Sequence, residues 1–262
     1  MDLTRLAIEE FLRFVLVATR MSGLFILAPA LGSSGIPTRI KVALAGLVGL
    51  IVLPALPPAR IGVDVAALSV PGYVVVMAGE LLIGLTIGLV AAFVLTGVEM
   101  AGLFVGQQTG TGLANVINPM TGSEVSDMGQ FYSFLALAVF LVIGGHRMLV
   151  AAMLRSFDAV PLGAFRFSAD LGLAVVPMAG RIFVIALTLS APAVTALVLT
   201  TVAMGLIART VPQLNILTAG FPIRILLGWF IVLVSLGAVA LWSRDLFLRM
   251  FDDLAGLIAL MG

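Results

Sequence analysis

The chain has 262 residues, of which 61% are hydrophobic and only 10% charged. Soluble domains run near about 45–50% apolar and about 25% charged, so this composition leaves too little polar surface for a water-exposed exterior, and a bilayer or a place inside a membrane complex is the natural solvent. A net charge of +1, with no basic grouping beyond Arg39 and Lys41, excludes an electrostatic footprint for nucleic acid; the lack of cysteine excludes disulfide, thiolate and iron–sulfur chemistry, and a single histidine, His146, excludes a multi-histidine metal site.

About 20 apolar residues are needed to span a bilayer. The N-terminal stretch Met1-Asp2-Leu3-Thr4-Arg5, followed by Glu9 and Glu10, does not fit a cleaved signal peptide, so the first apolar segment is expected to stay in the mature protein. That run covers residues 14–31, carries Arg20 and ends at Gly32-Ser33-Ser34-Gly35-Ile36-Pro37. The second, residues 42–53, is stopped by Pro54, Pro57 and Pro58, and its shortness suggests a tilted or re-entrant segment. The third, residues 73–106, holds Glu80, Glu99 and glycines at 79, 84, 88, 97 and 102. As one helix it reaches about 50 Å, so it must tilt, break or extend beyond the membrane.

A polar stretch, residues 107–130, comes next. The fourth run, residues 131–154, includes Gly144-Gly145-His146-Arg147, and a short amphipathic stretch, residues 155–170, follows it. The fifth, residues 171–207, contains Pro177, Arg181 and Pro192; the sixth, residues 225–242, leads into a polar tail with Arg244, Asp245, Arg249, Asp252 and Asp253. The expected fold is all-α: a polytopic membrane protein of about six long, kinked helical segments or hairpins. The Lys/Arg distribution mildly favours a cytoplasmic N-terminus.

Arg20, Glu80, Glu99 and Arg181 lie inside apolar runs, where each charge costs about 2.5–3.5 kcal/mol at a helix centre. Two acids and two bases suggest mutual pairing. One functional reading is a secondary transporter that couples through Glu80 or Glu99 and binds its substrate at the polar break. The plainer readings, which weigh more, are salt bridges between helices or subunits, or positions near water. Gly84-x-x-x-Gly88 implies close helix packing without saying whether the partner helix is in this chain. His146 reads as a hydrogen-bonded structural residue; an intramembrane serine protease would need Ser33 or Ser34 beside it, and the order and spacing match poorly.

The polar break contains Gln107, Gln108, Thr109, Gly110, Thr111, Gly112, Asn115, Asn118, Pro119, Met120 and Gly122. Asn118-Pro119 and Thr121-Gly122 are turn signals. Irregular backbone at membrane depth is tolerated only inside protein or beside a watery cavity. Composition therefore leaves two readings open: a flexible plug, filter or gate, and an ordinary extramembrane loop.

Gly102-x-x-x-Gly106-Gln107-Gln108-x-Gly110, Asn118-Pro119, Gly129-Gln130 and Gly144-Gly145-His146-Arg147 together resemble the FliR/SctT family of membrane components of type III export apparatus. The likeness continues through Ser156-Phe157 to Pro161, Ala191-Pro192, Gly205 to Arg209, Val211-Pro212-Gln213-Leu214-Asn215, Gly220-Phe221-Pro222 and Leu227-Gly228. It covers nearly the whole chain; the block from Arg209 through Pro212-Gln213-Leu214-Asn215 to Pro222 is its most specific piece. Many members have Asp before the proline where this chain has Asn118, which leaves the local charge open. The Asn-Pro and Pro-Gln-Leu-Asn features look more flagellar than virulence-associated.

The resemblance implies a non-enzymatic export-gate subunit of the inner membrane and flagellar basal body, without cofactor. Its implied partners are FliP-type and FliQ-type membrane subunits, an FlhB-type switch protein, unfolded export substrates in transit and membrane lipid. It implies one export-gate domain, with residues 1–170 similar in fold to the FliP-type subunit and residues 171–262 similar to the FliQ-type hairpin plus a tail. The glycine-rich loop of the family is a plug, matching residues 107–125 here, and Arg20, Glu80, Glu99, Arg181 and Arg209 become charges of the packed interfaces.

Overall fold

The structure is a computed structural model that describes residues 3–33, 35–57, 60–62, 68–110, 126–210 and 216–261. Among them regular structure is helical, apart from one isolated parallel bridge between Ile61 and Leu162. Seven α-helices follow in order: α1 Leu3–Leu27, α2 Thr38–Val52, α3 Val70–Thr109, α4 Asp127–Val142, α5 Gly145–Ala159, α6 Ala169–Thr210 and α7 Ile216–Ala259. Four are long and apolar enough to cross a membrane, over Thr38–Ala55, Val70–Thr109, Ala169–Thr210 and Gly220–Ala259, and α4 with α5 passes the same test as a broken pair. The all-α polytopic expectation holds, and the chain is a membrane protein.

The elements differ in detail from the apolar runs. The third and fifth runs do not break: α3 is continuous over 40 residues and α6 over 42, with Pro177 and Pro192 inside it. At 1.5 Å per residue α3 measures about 60 Å, twice the hydrocarbon thickness, so, being unbroken, it either tilts steeply or extends beyond the bilayer core. The fourth run does break. Gly144 adopts φ +73°, a left-handed conformation that glycine enters at little cost, and it starts α5 by accepting from the N–H groups of Arg147 and Met148. The tail is not a coil either. It completes α7, where Phe247, Met250, Leu254, Leu257 and Ile258 are buried at helical spacing while Arg244, Asp245, Arg249 and Asp252 are exposed. At the other end α1 begins well before its apolar run, and Arg13 pairs with Glu9 and Glu10 one turn back.

The chain forms two compact units. The first comprises the described residues of Met1–Phe93, Leu141–Ala179 and Phe247–Gly262; the second comprises those of Val94–Phe140 and Gly180–Leu246. In the first unit α1 lies against α3 at a glycine contact. A Cβ on Gly23 would come 2.6 Å from the Leu81 carbonyl oxygen, and one on Gly88 would come 2.9 Å from that of Leu24. Gly84 faces Gly23 at the same place. The partner of the Gly84-x-x-x-Gly88 motif is therefore α1 of the same chain, and small residues are needed because backbone meets backbone. Leu16, Met21, Leu24, Ile83, Ile87, Met153 and Phe157 fill the surrounding core.

In the second unit the far half of α3, residues 94–109, buries Val98, Ala101 and Val105. Gly97 receives Ile185 of α6, and Gly102 receives Met128 and Gly129 of α4. Thr109 lies against Gly228 of α7, and Phe131 meets Trp229 edge to face at 5.8 Å.

The glycine contact gives a direct test. Gly23→Val should lower the thermal midpoint of the purified protein in detergent by the equivalent of about 1–3 kcal/mol or more, because backbone on the facing helix has nowhere to move. Gly180→Ala, where an added Cβ meets nothing within 4 Å, should leave the midpoint unchanged or slightly raised. Equal midpoints for the two variants would show that the close approach is not needed.

Candidate functional site: a buried ion pair and a polar helix end

The charges expected to pair inside the membrane behave differently from one another. Arg20 of α1 and Glu80 of α3 form a salt bridge, with both side chains fully buried. The Arg20 Nε donates to Glu80 Oε2. Its Nη1 donates to the Ser156 hydroxyl at 3.2 Å and to the Val160 carbonyl at 3.1 Å, and its guanidinium lies 4.1 Å from the centre of the Phe157 ring. Val160 is the residue that ends α5, so the cation sits at the negative end of that helix. The second Glu80 oxygen accepts from the Gly163 N–H at 2.7 Å. Gly163 has φ +82°, a conformation that favours glycine and aims this N–H at the carboxylate.

Around this pair the connection between α5 and α6 is held to the segment before α3. Ile61 bridges Leu162, the Gly62 N–H donates to the Leu162 carbonyl, the Leu162 N–H donates to the Arg60 carbonyl, and the Arg60 side chain pairs with Asp158. Phe165 packs where Gly79 leaves room. One ion pair thus ties α1, α3, the end of α5 and two connecting segments together. Burying two charges costs several kcal/mol per ion, and only additional hydrogen bonds offset it; here Arg20 has two beyond its carboxylate and Glu80 has one. Both carboxylate oxygens are occupied, which suits a fixed structural group better than a group that exchanges protons.

Glu99 does not share in the pairing. It is exposed on α3 and makes no ion pair among the described residues. Arg181 and Arg209 are exposed on α6. At the polar break Gln107 and Gln108 are exposed, while Thr109 is buried and donates to the Gly106 carbonyl at 2.8 Å. Gly110 follows with φ +85° and closes a turn onto Gln107. Thr111, Gly112, Asn115, Asn118, Pro119, Met120 and Gly122 lie outside the described residues. His146 and Ser33 are both exposed. The sequence reading missed Ser156, the Val160 carbonyl and the Gly163 N–H as partners of the ion pair. Two of these are backbone groups, and no residue type announces them.

Removing one member of the pair leaves the other charge buried alone. Glu80→Ala should cost about 3–5 kcal/mol and greatly reduce the amount of protein in membranes. Arg20→Met combined with Glu80→Met should recover much of that loss. Immunoblots of membrane fractions and thermal midpoints would show it; wild-type levels for Glu80→Ala alone would contradict the anchoring role.

The family profile described as "Bacterial export proteins, family 1" matches residues 11–250. The chain is 30% identical to the Flagellar biosynthetic protein FliR of Bacillus subtilis (strain 168), over 97% of this chain and 98% of that one. It is 30% identical to FliR of Pectobacterium carotovorum subsp. carotovorum over 91% and 90%, and 28% identical to FliR of Escherichia coli (strain K12) over 92% and 90%. An outward surface rich in apolar helices, a polar break between α3 and α4 and an end-to-end match to these proteins lead to one conclusion: the chain belongs to the FliR/SctT family of bacterial export proteins.

Proposed function

We propose that this chain is a non-enzymatic subunit of the flagellar type III protein export gate in the bacterial inner membrane, at the flagellar basal body. With FliP-type and FliQ-type subunits it forms a channel for unfolded export substrates, and an FlhB-type switch protein contacts the assembly. Residues 107–125 act as a plug. Residues 1–170 correspond to a FliP-like part and residues 171–262 to a FliQ-like hairpin and tail. The observation that carries this reading is the match along nearly all of both chains to proteins named flagellar biosynthetic protein FliR.

Two structural features support it. Much of the apolar surface of α7, including Leu226, Phe230, Leu233, Val234 and Leu241, is exposed on this chain, which leaves it for other subunits or lipid. The polar break also begins on a helix end whose amides are exposed rather than folded into a core. The transporter alternative loses Glu80, which is sealed in the ion pair, and keeps only the exposed Glu99 as a coupling group.

Expressed with its FliP- and FliQ-type partners, the tagged chain should co-purify with them from membranes and be unstable without them. Recovery only as a monodisperse, solute-binding monomer would contradict the gate. Deleting residues 110–122 should leave assembly intact and let ions leak across the membrane. Unchanged membrane conductance in the deletion strain would contradict the plug.

A further inference from the structure

In the second unit two helices present opposite outward faces. Every exposed residue of α3 between Val94 and Thr109 is polar: Thr96, Glu99, Gln107 and Gln108. On α7, every exposed residue from Pro222 to Trp242 is apolar, including Leu226, Phe230, Leu233 and Leu241. At 100° per residue, Thr96, Glu99 and Gln107 fall within an arc of about 80°. The buried stripe of Val94, Val98, Ala101 and Val105 lies on the opposite side of the helix. Gly97, Gly102 and Gly106, between these two faces, receive Ile185, Met128 and Ser126. Half-buried Leu103 also falls within this arc, but the arc's exposed positions are all polar, and it leads directly to the polar break.

A face of this kind does not suit hydrocarbon. A carboxylate needs water, a cation or hydrogen-bond donors, and Glu99 has no ion-pair partner among the described residues. The α7 face suits apolar surroundings. We propose that the α3 face bearing Thr96, Glu99 and Gln107 lines the water-filled part of the export conduit. Glu99 gives its wall a fixed negative charge that draws cations and the lysine and arginine side chains of passing segments. Low-dielectric walls focus the field of such a charge, and wall carboxylates set cation preference in conducting pores. This deepens the export-gate reading and rests on it.

The chain contains no cysteine, so single cysteines report cleanly. Thr96→Cys, Glu99→Cys and Gln107→Cys, with Phe230→Cys and Leu233→Cys as controls, are expressed with the partner subunits. Each is exposed in membranes to a cationic or an anionic impermeant methanethiosulfonate reagent. The three α3 cysteines should react about tenfold or more faster than the controls. A substrate stalled in the channel by a folded fusion domain should protect them. The cationic reagent should be favoured at Thr96→Cys, and that preference should fall when Glu99→Gln is added.

Reactivity no greater than that of the controls would overturn the proposal. So would reactivity indifferent to the stalled substrate, which would place this helix end in bulk water. A reactive Thr96→Cys beside an unreactive Glu99→Cys would seal Glu99 against a partner's basic side chain and would also overturn it. These outcomes are read on complexes that co-purify, so they can fail the lining face while the export-gate reading stands; absence of any complex fails that reading instead.

Discussion

The first unit depends on how one arginine and one glutamate are kept out of water. Arg20 and Glu80 are fully buried, and neither is tolerable without the other and its further hydrogen bonds. Their arrangement dictates much else. The α1–α3 approach has to be close enough for the pair to form, which is why Gly23, Gly84 and Gly88 stand where backbone meets backbone. The end of α5 has to present the Val160 carbonyl and the Ser156 hydroxyl to the guanidinium. The connection after it has to turn through Gly163 so that its N–H reaches the carboxylate. Packing, chain reversal and charge burial are here a single constraint.

The second unit handles polarity differently. Its core combines the aromatics Tyr132 and Phe140 with aliphatic residues, and Gly97 and Gly102 admit Ile185, Met128 and Gly129. On α3 its exposed groups, Thr96, Glu99, Gln107 and Gln108, are polar and lead to the break. A membrane protein that carries one sealed ion pair in one unit and one uncovered polar face in the other has two distinct reasons for intramembrane charge. The first holds helices together, and the second points to surroundings other than lipid.

The number and order of apolar segments were legible in the sequence because about 20 residues of hydrocarbon thickness impose a strong pattern. Glycine spacing correctly announced close helix contact. The continuity of α3 and α6 was not legible, because periodicity does not tell a helix that outgrows the bilayer from one that breaks inside it. The tail was read as polar because its charges dominate residues 244–253, although Phe247, Met250 and Leu254 keep the helical stripe. The ion pair's members were legible as costly residues, but their partners were not, since a helix-end carbonyl and a glycine N–H exist only once the fold does. The family was legible through dispersed motifs such as Gly106-Gln107-Gln108 and Gly144-Gly145-His146-Arg147, whose match to the export family extends over residues 11–250.

The most direct measurement of the whole account is a density map of this chain purified in complex with its FliP- and FliQ-type partners. It should show Arg20 and Glu80 enclosed within the chain, with the polar face at the end of α3 on the wall of a pore shared among subunits and residues 107–125 inside that pore. Density that places this helix end on the outer perimeter of the assembly, facing lipid or bulk solvent, would contradict it.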